Sequence, residues 1–201
     1  MNKKKLGVTL GSLALVGAIG FGATLAYLSD QTQTLNNTFV IGDKIDIELD
    51  EKDITSTTGE RTQEGNDYLN VLPGVEFEKD PTVTFNTPTT EAYVFMAMKE
   101  SKDVTPVKIN PVWVEVEDKT LPEGVKVYRY QTTINNDTVD FNQSVEGKQL
   151  PALFTEAVLR ANHDGSSDID NIKVSAAAIQ SGGLTEDEAY AELRNFLVSV
   201  R

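Results

Sequence analysis

Acidic side chains are the commonest groups in this chain that could do chemistry. Asp43, Asp46, Glu48, Asp50 and Glu51 fall within one short run, interleaved with Ile45, Ile47 and Leu49. Two carboxylates flanking a substrate are the machinery of glycoside hydrolysis. A period-two alternation, however, puts acids on the wet face of a half-buried strand, and that reading is preferred. A second oxygen-rich run is Asn162-His163-Asp164-Gly165-Ser166-Ser167-Asp168-Ile169-Asp170. Calcium takes carboxylate and carbonyl oxygens converging from a flexible loop, which makes Asp164, Asp168 and Asp170 calcium candidates. The run lacks the EF-hand order, and the same residue types build ordinary tight turns. His163 is the only histidine, so an HExxH zinc site is excluded and any Ser-His-Asp triad would rest on it alone. Beside Asp164 and Gly165 it reads as a solvated loop residue. No nucleophile elbow, P-loop or dinucleotide glycine pattern occurs. Trp113, with Tyr93, Phe95, Tyr128 and Tyr130, could line a sugar site or fill core and rim. Taken together, these residues predict a protein that is not an enzyme, with calcium as the one candidate cofactor.

The elements that would carry these residues read mainly as strands. Residues 43–50 alternate, as do Val112–Val116 and Val125–Thr133. Glu91–Glu100 is the most apolar stretch after the N-terminal region, and its length and composition predict a central strand covered on both faces. Val83 and Phe85 mark a short strand between Pro81 and Pro88, and Ile172–Gln180 a closing strand. Turns are signalled at Leu72-Pro73-Gly74 and at Leu121-Pro122-Glu123-Gly124. Residues 51–70 read as an exposed loop, and Leu150–Asn162 fits either a helix or a strand. Thr185-Glu186-Asp187-Glu188 has the form of a capping box, opening a short helix that puts Ala189, Leu193, Phe196 and Leu197 on one face. Strands at this spacing, broken by Pro/Gly turns, predict an all-β sandwich.

The first 26 residues predict export. Lys3, Lys4 and Lys5 precede an uncharged stretch from Leu6 to Ala26 that ends in small residues, with cleavage expected between Ala26 and Tyr27. An uncharged run of roughly 20 residues is also long enough to span a bilayer, so a retained anchor is the alternative. Removing three lysines and no acids takes the formal charge from −13 to −16. Such a surface repels nucleic acid and anionic lipid. There is no cysteine, so stability outside the cell must come from burial and strand pairing, and a lipoprotein anchor is not expected.

Several stretches together resemble exported proteins of the TasA/camelysin (CalY) type, which are processed by a signal peptidase of the SipW type. The likeness lies in Gly22-Ala23-Thr24-Leu25-Ala26-Tyr27-Leu28-Ser29-Asp30, then Asn37-Thr38-Phe39 and Gly42. It continues in Leu72-Pro73-Gly74, in Lys79-Asp80-Pro81-Thr82-Val83, in Glu91-Ala92-Tyr93-Val94 and in Val174–Gln180. Residues 51–70 and 101–150 carry none of it. The resemblance implies a jelly-roll-like β-sandwich over residues 27–201, with a short C-terminal helix and an extended N-terminal arm at 27–42. It implies a secreted subunit, at the cell surface or in the extracellular matrix, that polymerises with itself into biofilm-matrix fibres alongside other matrix proteins. In such fibres the arm, here Tyr27–Thr38, is a donor strand for the next subunit, and Tyr27, Leu28 and Leu35 are its apolar anchors. A monomeric cell-surface adhesin is the alternative. Camelysin-type relatives have been described as metalloproteases, but one histidine and no zinc motif give that activity no support here.

Overall fold

The computed structural model describes residues 29–31, 45–55, 59–62, 65–139, 145–165 and 168–200. The strands are β1 (Ser29–Gln31), β2 (Ile47–Asp50), β3 (Gly59–Thr62), β4 (Gly65–Tyr68), β5 (Glu76–Glu78), β6 (Thr82–Phe85), β7 (Ala92–Lys99), β8 (Val104–Pro106), β9 (Trp113–Glu115), β10 (Val125–Tyr130), β11 (Glu156–Leu159) and β12 (Lys173–Gln180). A 3-10 turn covers Val145–Lys148, and one helix, α1, spans Glu186–Leu197. Every named strand pair is antiparallel. The chain is therefore an all-β, jelly-roll-like sandwich with a short C-terminal helix.

The larger sheet has the order β1-β12-β7-β10-β9. Facing it are two smaller ones, β2-β6 and β5-β11-β8, which backbone bonds join into a layer. Thr84 bridges Gln149, Leu150 N–H donates to Val83 O at 2.9 Å, and Leu153 N–H donates to Pro81 O at 3.0 Å. Lys79 N–H donates to Thr155 O at 3.2 Å, so residues 149–159 follow the β5–β6 run along its length. The ambiguous stretch at 150–162 thus carries a strand, β11 at Glu156–Leu159, and no helix, as suits Pro151, which inside a helix would cost a backbone bond.

The alternation within β7 explains the layering. Val94, Met96 and Met98 face the core between the sheets, with Phe85, Phe154 and Leu159, whereas Phe95 and Ala97 face the opposite way. There α1 covers them with Ala189, Leu193 and Leu197, all buried. Burying each of the larger side chains contributes about 1.5–3 kcal/mol. β12 is equally divided, with Val174, Ala176 and Ala178 inward and Ala177 and Ile179 under the helix. Its small side chains let α1 and the facing sheet approach closely.

Turn residues act as the sequence predicts: Gly74 and Gly124 have φ of 77° and 72°, a region that glycine enters without penalty. Residues 51–70 differ from expectation. They carry the β3–β4 hairpin, and Ile54 beneath it is 1% exposed, so this stretch is a structured flap over the end of β2. Among the described residues no helix is long and apolar enough to cross a membrane.

Candidate functional site: the edge beside β12

β12 pairs with β7 along all eight of its residues. On its other side, among the described residues, it pairs with β1 alone, through Ser29–Ile179, Asp30–Ala178 and Gln31–Ala177. The arm sequence thus supplies a strand to an edge of the main sheet. An edge strand presents alternate unpaired N–H and C=O groups and is a template for another strand. No described strand lies beside Lys173–Ser175 on the side away from β7. Of the residues expected at the arm and cleavage site, Ala26, Tyr27, Leu28 and Leu35 lie outside the described residues.

A groove of 1310 Å³ adjoins this edge. Asn171–Ser175 line it, as do Glu48–Glu51 of β2 and its flank, Arg61 and Asn66 of the hairpin, and Phe196, Ser199 and Val200 at the end of α1. The Ser175 hydroxyl is buried with no hydrogen-bond partner among the described residues.

One wall of the groove is a network of charges. Lys79 is buried and its Nζ lies 2.5 Å from Glu51 Oε1. Tyr68 donates its hydroxyl to Glu51 Oε2 at 2.9 Å, and the Lys79 ammonium sits 5.3 Å from the Tyr68 ring centre. Burial first, and then the Glu51 charge, push the Tyr68 hydroxyl far above its ordinary range. Arg61 bonds Asp50 and donates to Glu51 O at 3.0 Å; the Asp50 bond is the main cause of its raised pKa. Asp80 is raised, chiefly by burial, with Lys52 N–H opposing. Glu51 is thus engaged by Lys79 and Tyr68, and Asp50 by Arg61. Asp46 accepts from Asn86 at 3.3 Å, and Glu48 is exposed on the wet face as expected, while Asp43 lies outside the described residues. Asp46, Asp50 and Glu51 thus have different bonding partners, although Glu48, Asp50 and Glu51 line the same groove.

His163 corrects its expected place: it is 6% exposed, not a solvated loop residue. Its Nδ1 accepts from Gly165 N–H at 3.1 Å, a bond within the turn itself. The neighbouring Asp103 is also buried, and its Oδ2 accepts from Asp170 N–H at 2.8 Å while Arg160 pairs with Oδ1 at 3.1 Å. That backbone bond first, then the nearby cations, hold the Asp103 carboxyl below the usual range. Of the calcium candidates, Asp170 accepts from Lys102 N–H at 3.1 Å and so braces the turn after β7. Asp164 and Asp168 are exposed, and among the described residues no group of three or more metal-ligating side chains gathers. Phe95, Trp113 and Tyr128 are core residues. Trp113 donates Nε1–H to Pro151 O at 2.8 Å and meets the partly buried Tyr130 edge-on, their centres 5.2 Å apart. Tyr93, also partly buried, packs on the α1 side.

Arg61, Lys79 and Ser175 of the groove, with Tyr68 bonded to Glu51, are the residues that sequence reasoning missed. Glu51, which Arg61, Tyr68 and Lys79 share, lies 10, 17 and 28 residues from them, and the only local signal was a polar stretch that read as loop. Comparison with protein-family models, with characterised proteins and with solved structures finds no match to this chain.

Proposed function

We propose that this chain is a structural protein, a sandwich domain that assembles with copies of itself by strand addition. Its particular role is that of a secreted fibre subunit of a biofilm matrix, of the TasA/camelysin type, with Tyr27–Thr38 as the donor strand. The observation that carries the reading is the pairing of Ser29–Gln31 with Ile179–Ala177. It supports an arm suited to extend the sheet at the β12 edge, with affinity from main-chain bonds and register from side chains. When the arm of each copy fills the edge of the next, the contact is head-to-tail and propagates without closing. Export and cleavage after Ala26 would set the arm free at its N-terminus, and a SipW-type peptidase is the expected processing partner. The chain starting at Tyr27 is expected to form filaments visible by negative-stain microscopy, and a chain starting at Asp43 to remain monomeric. A monomeric Tyr27 chain under all conditions would leave the adhesin reading in its place. Filaments from both chains would remove the arm from the assembly.

A further inference from the structure

Three side chains converge on the Glu51 carboxylate. Lys79 Nζ lies 2.5 Å from Oε1, Tyr68 donates its hydroxyl to Oε2 at 2.9 Å, and Asn66 donates Nδ2–H to Oε2 at 3.4 Å. Local structure explains the meeting. Asn66 and Tyr68 stand two residues apart in β4 and so share a face of the hairpin. Arg61 is directly opposite Asn66 in the β3–β4 register and donates Nη1–H to Asn66 Oδ1 at 3.4 Å. Gly59 lets the hairpin lie low, since a Cβ there would collide with Ile54 Cδ1 and with Asp67 O. Lys79 arrives from the other side, just after β5, where Phe77 stacks on Tyr68 with ring centres 5.0 Å apart. The Lys79 and Glu51 side chains are 6% and 15% exposed, and the Tyr68 ring lies 5.3 Å from the ammonium.

An amine that is to displace ammonia from a primary amide must lose protons, and the amide nitrogen must gain one. A carboxylate in contact with both nitrogens can do both, and holding the groups on one carboxylate replaces a chance encounter. We propose that Lys79 and Asn66 join in an intramolecular isopeptide bond, which the chain forms by itself with Glu51 as the proton carrier. Glu51 Oε1 takes a proton from the Lys79 ammonium, trading two buried ions for a neutral amine and a neutral acid. The Nζ lone pair attacks Asn66 Cγ, and the negative charge that gathers on Oδ1 meets the Arg61 guanidinium. Glu51 gives its proton to Nδ2 and takes a second from Nζ; the Cγ–Nδ2 bond breaks and ammonia leaves. The products are one Nζ–Cγ amide, one ammonia and a protonated Glu51, and no co-reactant is consumed. The bond closes residues 66–79 into a ring and fastens the hairpin flap to the layer beneath it. In a chain without cysteine it constrains the unfolded state as a disulfide does elsewhere. It needs one chain only, so it stands or falls apart from strand addition. Until it forms, Lys79 and Glu51 hold each other as an ion pair.

The test is the intact mass of the chain, folded first and then denatured, with or without residues 1–26, which hold none of these groups. The mass is expected to fall short of the sequence by one ammonia. Trypsin is expected to stop cutting after Lys79. Digestion after glutamate, which cuts at Glu76 and Glu78, is expected to leave the peptides of Asn66 and Lys79 joined. Lys79→Arg keeps the charge and removes the nucleophile, Glu51→Leu removes the proton carrier, and both are expected to show the full mass. Asn66→Ala is expected to do so too; because it keeps the ion pair, it is the reference chain for measuring what that pair contributes. A folded wild-type chain at its full sequence mass would overturn the proposal. So would an ammonia deficit that survives in Lys79→Arg, the mark of a cyclised asparagine, or a deficit of one water, which would place the bond on the Glu51 carboxyl. Where a variant does not fold, the joined peptides of the wild type, found or absent, decide alone.

Discussion

At the scale of single residues, the Lys79–Glu51 pair is the contact with the most at stake. Lys79 is buried and Glu51 largely so, so their mutual attraction offsets a desolvation cost that reaches several kcal/mol for a fully buried ion. Lys79→Ala is expected to destabilise the fold by about 3–5 kcal/mol, because Glu51 is left buried without a counter-charge. Lys79→Met combined with Glu51→Leu is expected to recover most of that loss, measured as the shift in urea midpoint at unchanged slope. None of this was legible in the sequence. Lys79 sits in a recognisable stretch, but nothing local announces a partner 28 residues earlier in a segment that reads as loop. His163 teaches the same lesson: a turn composition says where the chain bends and not which side chain the bend folds inward.

Elements show the opposite balance for α1. Its capping box was legible from Thr185 and Glu188 alone, because a cap is a contact between residues three apart. Glu188 N–H donates to Thr185 Oγ1 at 3.3 Å, and Thr185 N–H donates to Glu188 Oε2 at 2.8 Å. Where the helix docks is a tertiary matter. Asp118 accepts from Arg194 Nε at 2.7 Å and from the Tyr190 hydroxyl at 2.8 Å, and Glu186 pairs with Arg129 at 2.6 Å. The Thr120 hydroxyl first, then Arg194, Thr120 N–H and Tyr190, hold the Asp118 carboxyl far below the usual carboxylate range. Burial, and next the bond to Asp118, raise the Tyr190 hydroxyl to about 12. The Asp118 contribution is therefore complete above its unfolded pKa of about 3.9 and is lost as pH falls towards the lowered folded value. Asp118→Asn is expected to lower the melting temperature at pH 7 and to flatten the fall in stability between pH 4 and pH 2, read from melts across that range.

The whole molecule carries a formal charge of −13, and −16 if residues 1–26 are removed. If copies assemble edge to edge as proposed, they do so against this repulsion, which is screened over about 30 Å at 0.01 M salt but about 8 Å at 0.15 M. Assembly of the chain starting at Tyr27 is expected to speed up severalfold across that interval, followed by light scattering. A rate that falls with salt would mean that attractive charge contacts govern the encounter. The arm also ties this scale to the first two. Three residues, Ser29–Gln31, bring a segment that reads as polar and loose to the edge of a sheet whose central strand is apolar on both faces.

The sequence by itself determined several elements: alternation marked β2 and β10, an unbroken apolar run marked β7, Pro/Gly pairs set the turns, and one capping box set the helix. These are consequences of backbone geometry within a few residues. Only the tertiary structure decided that residues 51–70 make a hairpin over β2, that His163 and Lys79 are buried, and that the arm pairs with β12. Each depends on a partner distant in the chain, and burial or pairing is a property of what a residue meets, which local periodicity does not encode.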